Sequence, residues 1–425
     1  MLLTTAVLPA GTAADVAASS RPAIPAAVAA DAPVEVTLAL RPRHPALLRR
    51  LAAASSARPP LPAGTVRALF LPTPRQVAAV RAAMLSQGLR FQAQRALSLT
   101  FTGSAAAAGR AFGVTLQVAR RANGSLARRP SAMPRAPASV APLIQDIEGL
   151  DTTAQLHPAG GSSGSAEPPP PCAGPGSTGG YLPAQLGSAQ GYGFSSLIGG
   201  GWDGSGEGVA MVEFSNYNPA DVATYQACYG TEVPVSTVTV GAGTATRRAS
   251  DEVELDIETA ITSAPGLDGV KVYVARPSGT MSAVVNAIVA DAPSTGVRII
   301  SDSWGLCEPA LSPARAAATS AALQLAAVSG ITFLAASGDS GSYDCTGFRV
   351  LAVDDPAAQQ FATAVGGTDL HLHAVGAGHE VVWNDVYGAG GGGFSRFWPR
   401  PSWQTGTGVT NQFSTGARQV PDISL

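Results

Sequence analysis

Residues 297–341 read VRIISDSWGLCEPALSPARAAATSAALQLAAVSGITFLAASGDSG. Two short apolar runs, VRIISDSW (297–304) and ITFLAAS (331–337), flank SPARAAATSAALQLAAVSG (312–330), which reads as a long helix with a terminal Gly. The same alternation continues outward. GVAMVEF (208–214), VSTVTV (235–240), VKVYVA (270–275) and FATAVGG (361–367) read as strands. A segment opening at Asn218-Pro219 and MSAVVNAIVADA (281–292) read as helices. Strands and helices alternating at these lengths predict an α/β fold with a doubly wound, mainly parallel sheet. Chemistry is then expected beyond the carboxyl ends of the strands.

The N-terminal part differs. VEVTLAL (34–40) and ALSLTFTG (96–103) alternate as strands, whereas PALLRRLAAA (45–54), TPRQVAAVRAAMLSQG (73–88) and AAAAGRAFG (105–113) have helical spacing. Residues 33–155 are therefore expected to form a small α+β domain. Residues 156–180 are Pro/Gly/Ser-rich and read as an exposed, cleavable linker, and 181–425 as the larger domain. Residues 1–32 read as a degenerate signal segment, because the apolar run lacks a positive flank; this makes an extracellular location the expectation.

The chain has 425 residues, 45% of them hydrophobic, enough for more than one domain and a large core. No apolar run is long enough to span a bilayer. Four cysteines, all after residue 170, fit two disulfides or four thiols. Order along the chain alone pairs Cys172 with Cys228 and Cys307 with Cys345. Residues 1–150 hold 17 Arg and five acids, a charge of +12, and the remainder carries −14. Attraction between the two parts follows. The Arg residues are scattered and not interleaved with aromatics, which argues against nucleic acid. GSGEG (204–208) precedes its strand, so it is no dinucleotide loop.

Two constellations carry chemistry. SDEVELDIETA (250–260) packs five carboxylates into eight positions of a chain only 13% charged. Read as a helix capped by Ser250, it buries Val253, Ile257, Ala260 and Ile261 and ends at Ala264-Pro265-Gly266. Glu252 and Asp256 then share one face, four apart, and Glu254 and Glu258 share another. Two carboxyls in a partly dry site titrate as a pair and can relay a proton. An acidic, solvated helix is the plain alternative. FLAASGDSG (333–341) sets Asp339 at a strand's carboxyl end, where it serves as a metal ligand, a base, or, protonated, a donor to an oxyanion; a simple Asp turn is the alternative. Ser303-Trp304-Gly305, ending another strand, is a place for an extended peptide to pair. Of five histidines, His371 and His373 are the nearest to a metal pair, but a solvated strand face explains them better, and no metal ligand set is assigned.

Together these residues resemble the sedolisin (kumamolisin-type) serine-carboxyl peptidases. EVELD (252–256) is similar to the family's E-x-x-L-D helix and SGDSG (337–341) to its SGD turn. SWGLCE, AVGGTDL (364–370), GGGFS (391–395), PRPSWQ (399–404) and VPDIS (420–424) also have counterparts. The N-terminal part resembles the family's activation domain through VEVTLALRP, RAFGV (110–114) and IEGLD (147–151). The resemblance implies a subtilisin-like fold preceded by a prodomain acting as intramolecular inhibitor, and acid endopeptidase activity on protein or peptide substrates. It makes Glu252 the base, Asp256 the carboxyl behind it, Asp339 the oxyanion acid, and Ser303–Gly305 the substrate cleft. Scarce histidine suits this, since an imidazole is protonated in acid.

The family's nucleophile follows V-P-D in a G-T-S-x-S motif, and its calcium site lies further on; this chain stops at Leu425 before either. A C-terminally truncated product, with covalent catalysis essentially absent, is therefore the expectation. Two readings stand side by side: an acid-acting secreted endopeptidase zymogen, or a catalytically inactive peptide-binding protein of the same fold. The reading frame beyond codon 425 discriminates them.

Overall fold

The computed structural model describes residues 26–121, 123–158, 181–241, 246–345, 350–373 and 378–425. The signal-like residues 1–25, most of the expected linker, and Cys172 lie outside the described residues.

The first unit contains, in chain order, β1 (Pro33–Leu40), α1 (Pro45–Ala53), α2 (Ala63–Leu69), α3 (Pro74–Leu85), β2 (Arg90–Arg95), β3 (Ser98–Ser104), α4 (Ala105–Phe112), β4 (Leu116–Arg120), β5 (Leu126–Pro130) and β6 (Ile144–Glu148). Strands β2-β3-β1-β6 pair antiparallel in that order. Leu38, Met84, Phe101 and Phe112 fill a core of its own. Helix α3 begins at Pro74 because Thr73 and Gln76 form a capping box. Helix α4 stops at Gly113, whose φ of 68° is left-handed.

A two-residue strand, β7 (His157–Pro158), comes next. The second unit then runs α5 (Pro183–Leu186), α6 (Phe194–Gly199), β8 (Gly208–Glu213), α7 (Pro219–Tyr229), β9 (Val235–Thr239), α8 (Ser250–Ser263), β10 (Gly269–Val274), α9 (Met281–Thr295), β11 (Val297–Asp302), β12 (Trp304–Cys307), α10 (Pro313–Val328), β13 (Thr332–Ala336), β14 (Asp354–Asp355), β15 (Thr363–Gly366), β16 (Thr368–His371), β17 (His379–Val382), β18 (Gly393–Pro399), β19 (Ala417–Val420) and β20 (Ile423–Ser424). Seven strands form one all-parallel sheet in the order β9-β10-β8-β11-β13-β15-β20. The α/β doubly wound sheet expected from the alternation is thus present. Every residue of β8 is buried, as an apolar run in mid-sheet requires. The chain runs from β8 out to β9, back to β10 and across β8 to β11, so the strand order reverses here and the carboxyl ends of these strands are the expected place for a site. Cys307 and Cys345 form a disulfide, as their order suggested; Cys228 is disulfide-bonded too.

The two units meet along an apolar seam. Leu48, Phe70 and Leu97 of the first join the core built around β8, α9 and α10. Leu97 N–H donates to Asn286 Oδ1 at 3.0 Å. Glu148, 4% exposed, accepts from Thr280 Oγ1 and Ser282 Oγ at the start of α9, both at 2.5 Å. The charge asymmetry contributes less than the sequence suggests. Arg95 pairs with Asp291 at 2.9 Å, but Arg276 and Glu35, at 3.3 Å, pair in the opposite sense. Both arginines are well exposed, and exposed pairs contribute at most about 1 kcal/mol. Burial and the Glu148 hydrogen bonds therefore dominate the docking.

Glu148→Ala leaves two buried hydroxyls without their acceptor and is expected to cost about 1–3 kcal/mol. Urea unfolding of the whole chain checks this; Glu148→Gln, which keeps one acceptor oxygen, is expected to lose less.

Candidate active site

The acidic run folds as helix α8, with Val253, Ile257 and Ile261 buried and the end at Ala264. Its start differs from expectation by one residue. Ala249 is the N-cap and Ser250 the first helical residue, with Ala249 N–H donating to Ser215 Oγ at 3.1 Å. The helix therefore begins without a side-chain cap. Its early acids, Asp251 and Glu252, suit the positive end of the helix dipole.

Asp256 sits at the centre of the site. Ser303 Oγ donates to Asp256 Oδ1 at 2.8 Å, while Asp256 Oδ2 is buried without a conventional partner. The Glu213 carboxyl, at the end of β8, faces it, with one oxygen held by Trp304 Nε1 at 2.7 Å and the other left to the Asp256 carboxyl. Two carboxyls so placed share a proton. Asp302 ends the adjacent β11. Its Oδ1 accepts Trp304 N–H at 3.2 Å, and its Oδ2 is buried and unpartnered. That bond turns the chain so that Ser303 points at Asp256 and the Trp304 indole at Glu213.

Electrostatics follow from dry surroundings and like charges. Burial, then Asp256 and Asp339, pushes Glu252 up to about 8. Burial pushes Asp256 to about 6 against the hydrogen bonds from Ser303 and Glu213. Burial and Asp256 hold Glu213 well above the carboxylate range, and burial holds Asp302 there also. No Lys or Arg figures among the groups acting on these four. The arrangement therefore retains protons into neutral pH and can pass one between neighbours.

Asp339 lies on the SGDSG turn after β13, near enough to Glu252 to raise it. The glycine run 390–393 braces this turn. Gly391 N–H donates to Gly338 O at 2.6 Å and Ser337 Oγ to Gly391 O at 2.8 Å. A Cβ at Gly391 would run into the Ser337 carbonyl. Behind the turn, Asp344 and Asp354 form a second buried carboxyl pair, both raised by burial.

The expected cleft residues divide their work. Ser303 and Trp304 point into the carboxyl cluster. Gly305 instead presents backbone to β7, with Trp304 opposite Pro158 and Gly305 opposite His157 in antiparallel register. His157 and Pro158, expected as linker, are thus an added strand on this edge. His157 also acts on Asp344 by its charge. Glu254, expected to be merely solvated, accepts Asn218 N–H at 2.8 Å and so holds the cap of α7. The sequence reading missed Glu213, whose one signal is an acid closing an otherwise apolar strand, and Asp302. Among the described residues no group of three His, Cys, Asp or Glu side chains is arranged to hold a metal ion.

Residues 25–153 match the family described as Pro-kumamolisin, activation domain, and residues 238–424 match the subtilase family. Kumamolisin of Bacillus sp. (strain MN-32) is 36% identical over 342 residues, 76% of this chain and 59% of that protein. Sedolisin of Pseudomonas sp. (strain 101) is 28% identical over 381 residues, 84% of this chain and 62% of that protein. The chain spans about three-fifths of the length of these relatives. A solved structure of Pseudomonas sedolisin, a serine-carboxyl proteinase complexed with two molecules of pseudo-iodotyrostatin, aligns with a TM-score of 0.49 and 26% identity, covering 58% of this chain and 70% of that one.

A carboxyl whose pKa is higher folded than unfolded gives the native state the extra proton. The stability these two carboxyls contribute is then full below about pH 4 and is lost as pH rises through about 6 and about 8. Glu252→Gln is expected to remove part of that fall, recovering roughly 1–3 kcal/mol between about pH 5 and pH 8. Urea unfolding at the two pH values measures it; an unchanged slope would count against the site.

Proposed function

We propose, from its likeness to the activation domain, the subtilase family, kumamolisin and sedolisin, that this chain is the zymogen portion of a secreted sedolisin-type serine-carboxyl endopeptidase acting in acid. The observation that carries the reading is the carboxyl relay, in which Glu252 and Asp256 stand four apart on α8 with Glu213 behind them. The nucleophile in this reading is a serine following the VPDIS segment, beyond Leu425. Glu252 takes the proton of that serine as it attacks a peptide carbonyl. Asp256, four residues on along the same helix face, stands behind Glu252 and orients it as base. Asp339, protonated in acid, donates to the developing oxyanion. Ser303 holds Asp256 rather than substrate, and the backbone at Trp304 and Gly305 pairs with the extended substrate. No step is assigned to calcium, because the described residues offer no fitting ligand set.

The first unit acts as intramolecular inhibitor. Its seam holds it in place, and His157-Pro158 occupies the strand edge that a substrate needs. This favours a zymogen over a bare binding module, since a binding surface would gain nothing from a strand that covers it.

The test is autocatalytic release and peptide hydrolysis at about pH 4 by the chain expressed with its downstream codons. Cleavage between β7 and α5 is expected, and Glu252→Gln or Asp339→Asn is expected to lose about 10²–10³-fold or more in kcat. A serine absent downstream, or peptide binding without hydrolysis, would favour the inactive binding protein.

A further inference from the structure

Three of the chain's five histidines fall within nine residues, far from the carboxyl cluster in the sequence. Strands β16 and β17 pair antiparallel with His371 directly opposite His379. His373 is two residues on from His371, and Asp369 two before it, so all four side chains lie on one face of the ribbon. His373 Nε2 and His379 Nδ1 are 2.8 Å apart. The His371 ring stacks on His379 with centroids 4.9 Å apart and planes 19° apart, and its own Nε2 lies 3.5 Å from Asp369 Oδ2. All three rings are exposed to solvent.

We propose that His373 and His379 form a two-imidazole site for a divalent transition-metal ion of the copper, nickel and zinc class. Two ring nitrogens aimed at one another need either a shared proton or an ion between them. Two metal–nitrogen bonds of about 2.0–2.1 Å set the nitrogens about 3.3 Å apart at a tetrahedral angle, so the rings must part by about half an ångström and turn towards the ion, which exposed side chains allow. Imidazole suits these ions, while calcium and magnesium take oxygen ligands. No third donor converges on the pair among the described residues, so water completes the shell. His371 acts one step back: stacked on His379 and anchored by Asp369, it fixes the plane of the ligand ring.

The consequence is local. An ion held here staples β16 to β17. That ribbon anchors the start of the second unit, through Tyr181 OH donating to Leu370 O at 2.9 Å, Tyr192 OH donating to Glu380 at 2.8 Å, and Gly378 N–H donating to Gln190 O at 2.9 Å. The ion would therefore stabilise residues 181–192, where the second unit begins, without touching the carboxyl cluster.

The test is titration of the whole chain with Cu²⁺ near neutral pH, followed by calorimetry and electron paramagnetic resonance. One ion per chain, with hyperfine coupling to two imidazole nitrogens, is expected. His373→Ala and His379→Ala should each weaken binding roughly tenfold or more, His371→Ala should weaken it less, and His44→Ala should leave it unchanged. Copper should raise the melting temperature of the parent chain but not of the His373→Ala/His379→Ala double variant. Unchanged binding in the two single variants, or copper without nitrogen coupling, overturns the proposal.

Discussion

Four carboxyl groups are gathered where the carboxyl ends of two central strands meet one helix, and among the described residues no Lys or Arg is prominent among the groups that shift them. Glu213 and Asp302 end β8 and β11, while Asp256 and Glu252 project from α8. Isolated buried carboxylates are too costly to hold, so the cluster persists by sharing protons and by taking hydrogen bonds from Ser303 and from Trp304. Much of the architecture serves this arrangement. The reversal of strand order at β8 sets the cluster at the strands' carboxyl ends, and the bond from Trp304 N–H to Asp302 bends the strand end so that serine and indole face the acids. A site built this way keeps its protons in acid and releases them only towards neutral pH.

The docked first unit is a consequence of the same geography. The strand edge at Trp304 and Gly305 adjoins the cluster, through Trp304 Nε1 on Glu213, so under the proposed function whatever pairs there would control access. His157 and Pro158 take that edge, and the seam around Glu148 keeps them there. The charge imbalance between the two halves is real in the composition, yet the ion pairs across the seam run in both directions. Apolar burial and a carboxyl at the head of α9 account for the docking better than long-range attraction does.

The parallel sheet was legible because its signals are local and periodic: apolar runs of strand length, helical spacing, and glycines at helix ends. The α8 face with Glu252 and Asp256 was legible for the same reason, since positions four apart on a helix meet wherever the helix lies. The helix starts one residue from the expected position, a difference within the fraying of helix ends. Glu213 gave little signal, since one acid in an apolar strand has no period and its partners lie 43 and 91 residues away. The β7 edge pairing and the third histidine of the ribbon were likewise invisible, because both depend on which strands lie side by side.

The central claim is that Glu252, Asp256 and Glu213 hold shared protons into neutral pH. Infrared difference spectroscopy across a pH titration reads protonated carboxyl groups directly by their carbonyl band. The account predicts bands that persist past about pH 6 and are lost only towards about pH 8, with the late fraction missing in Glu252→Gln. Complete ionisation of every carboxyl by about pH 5, with the same spectrum in Glu252→Gln, would contradict it.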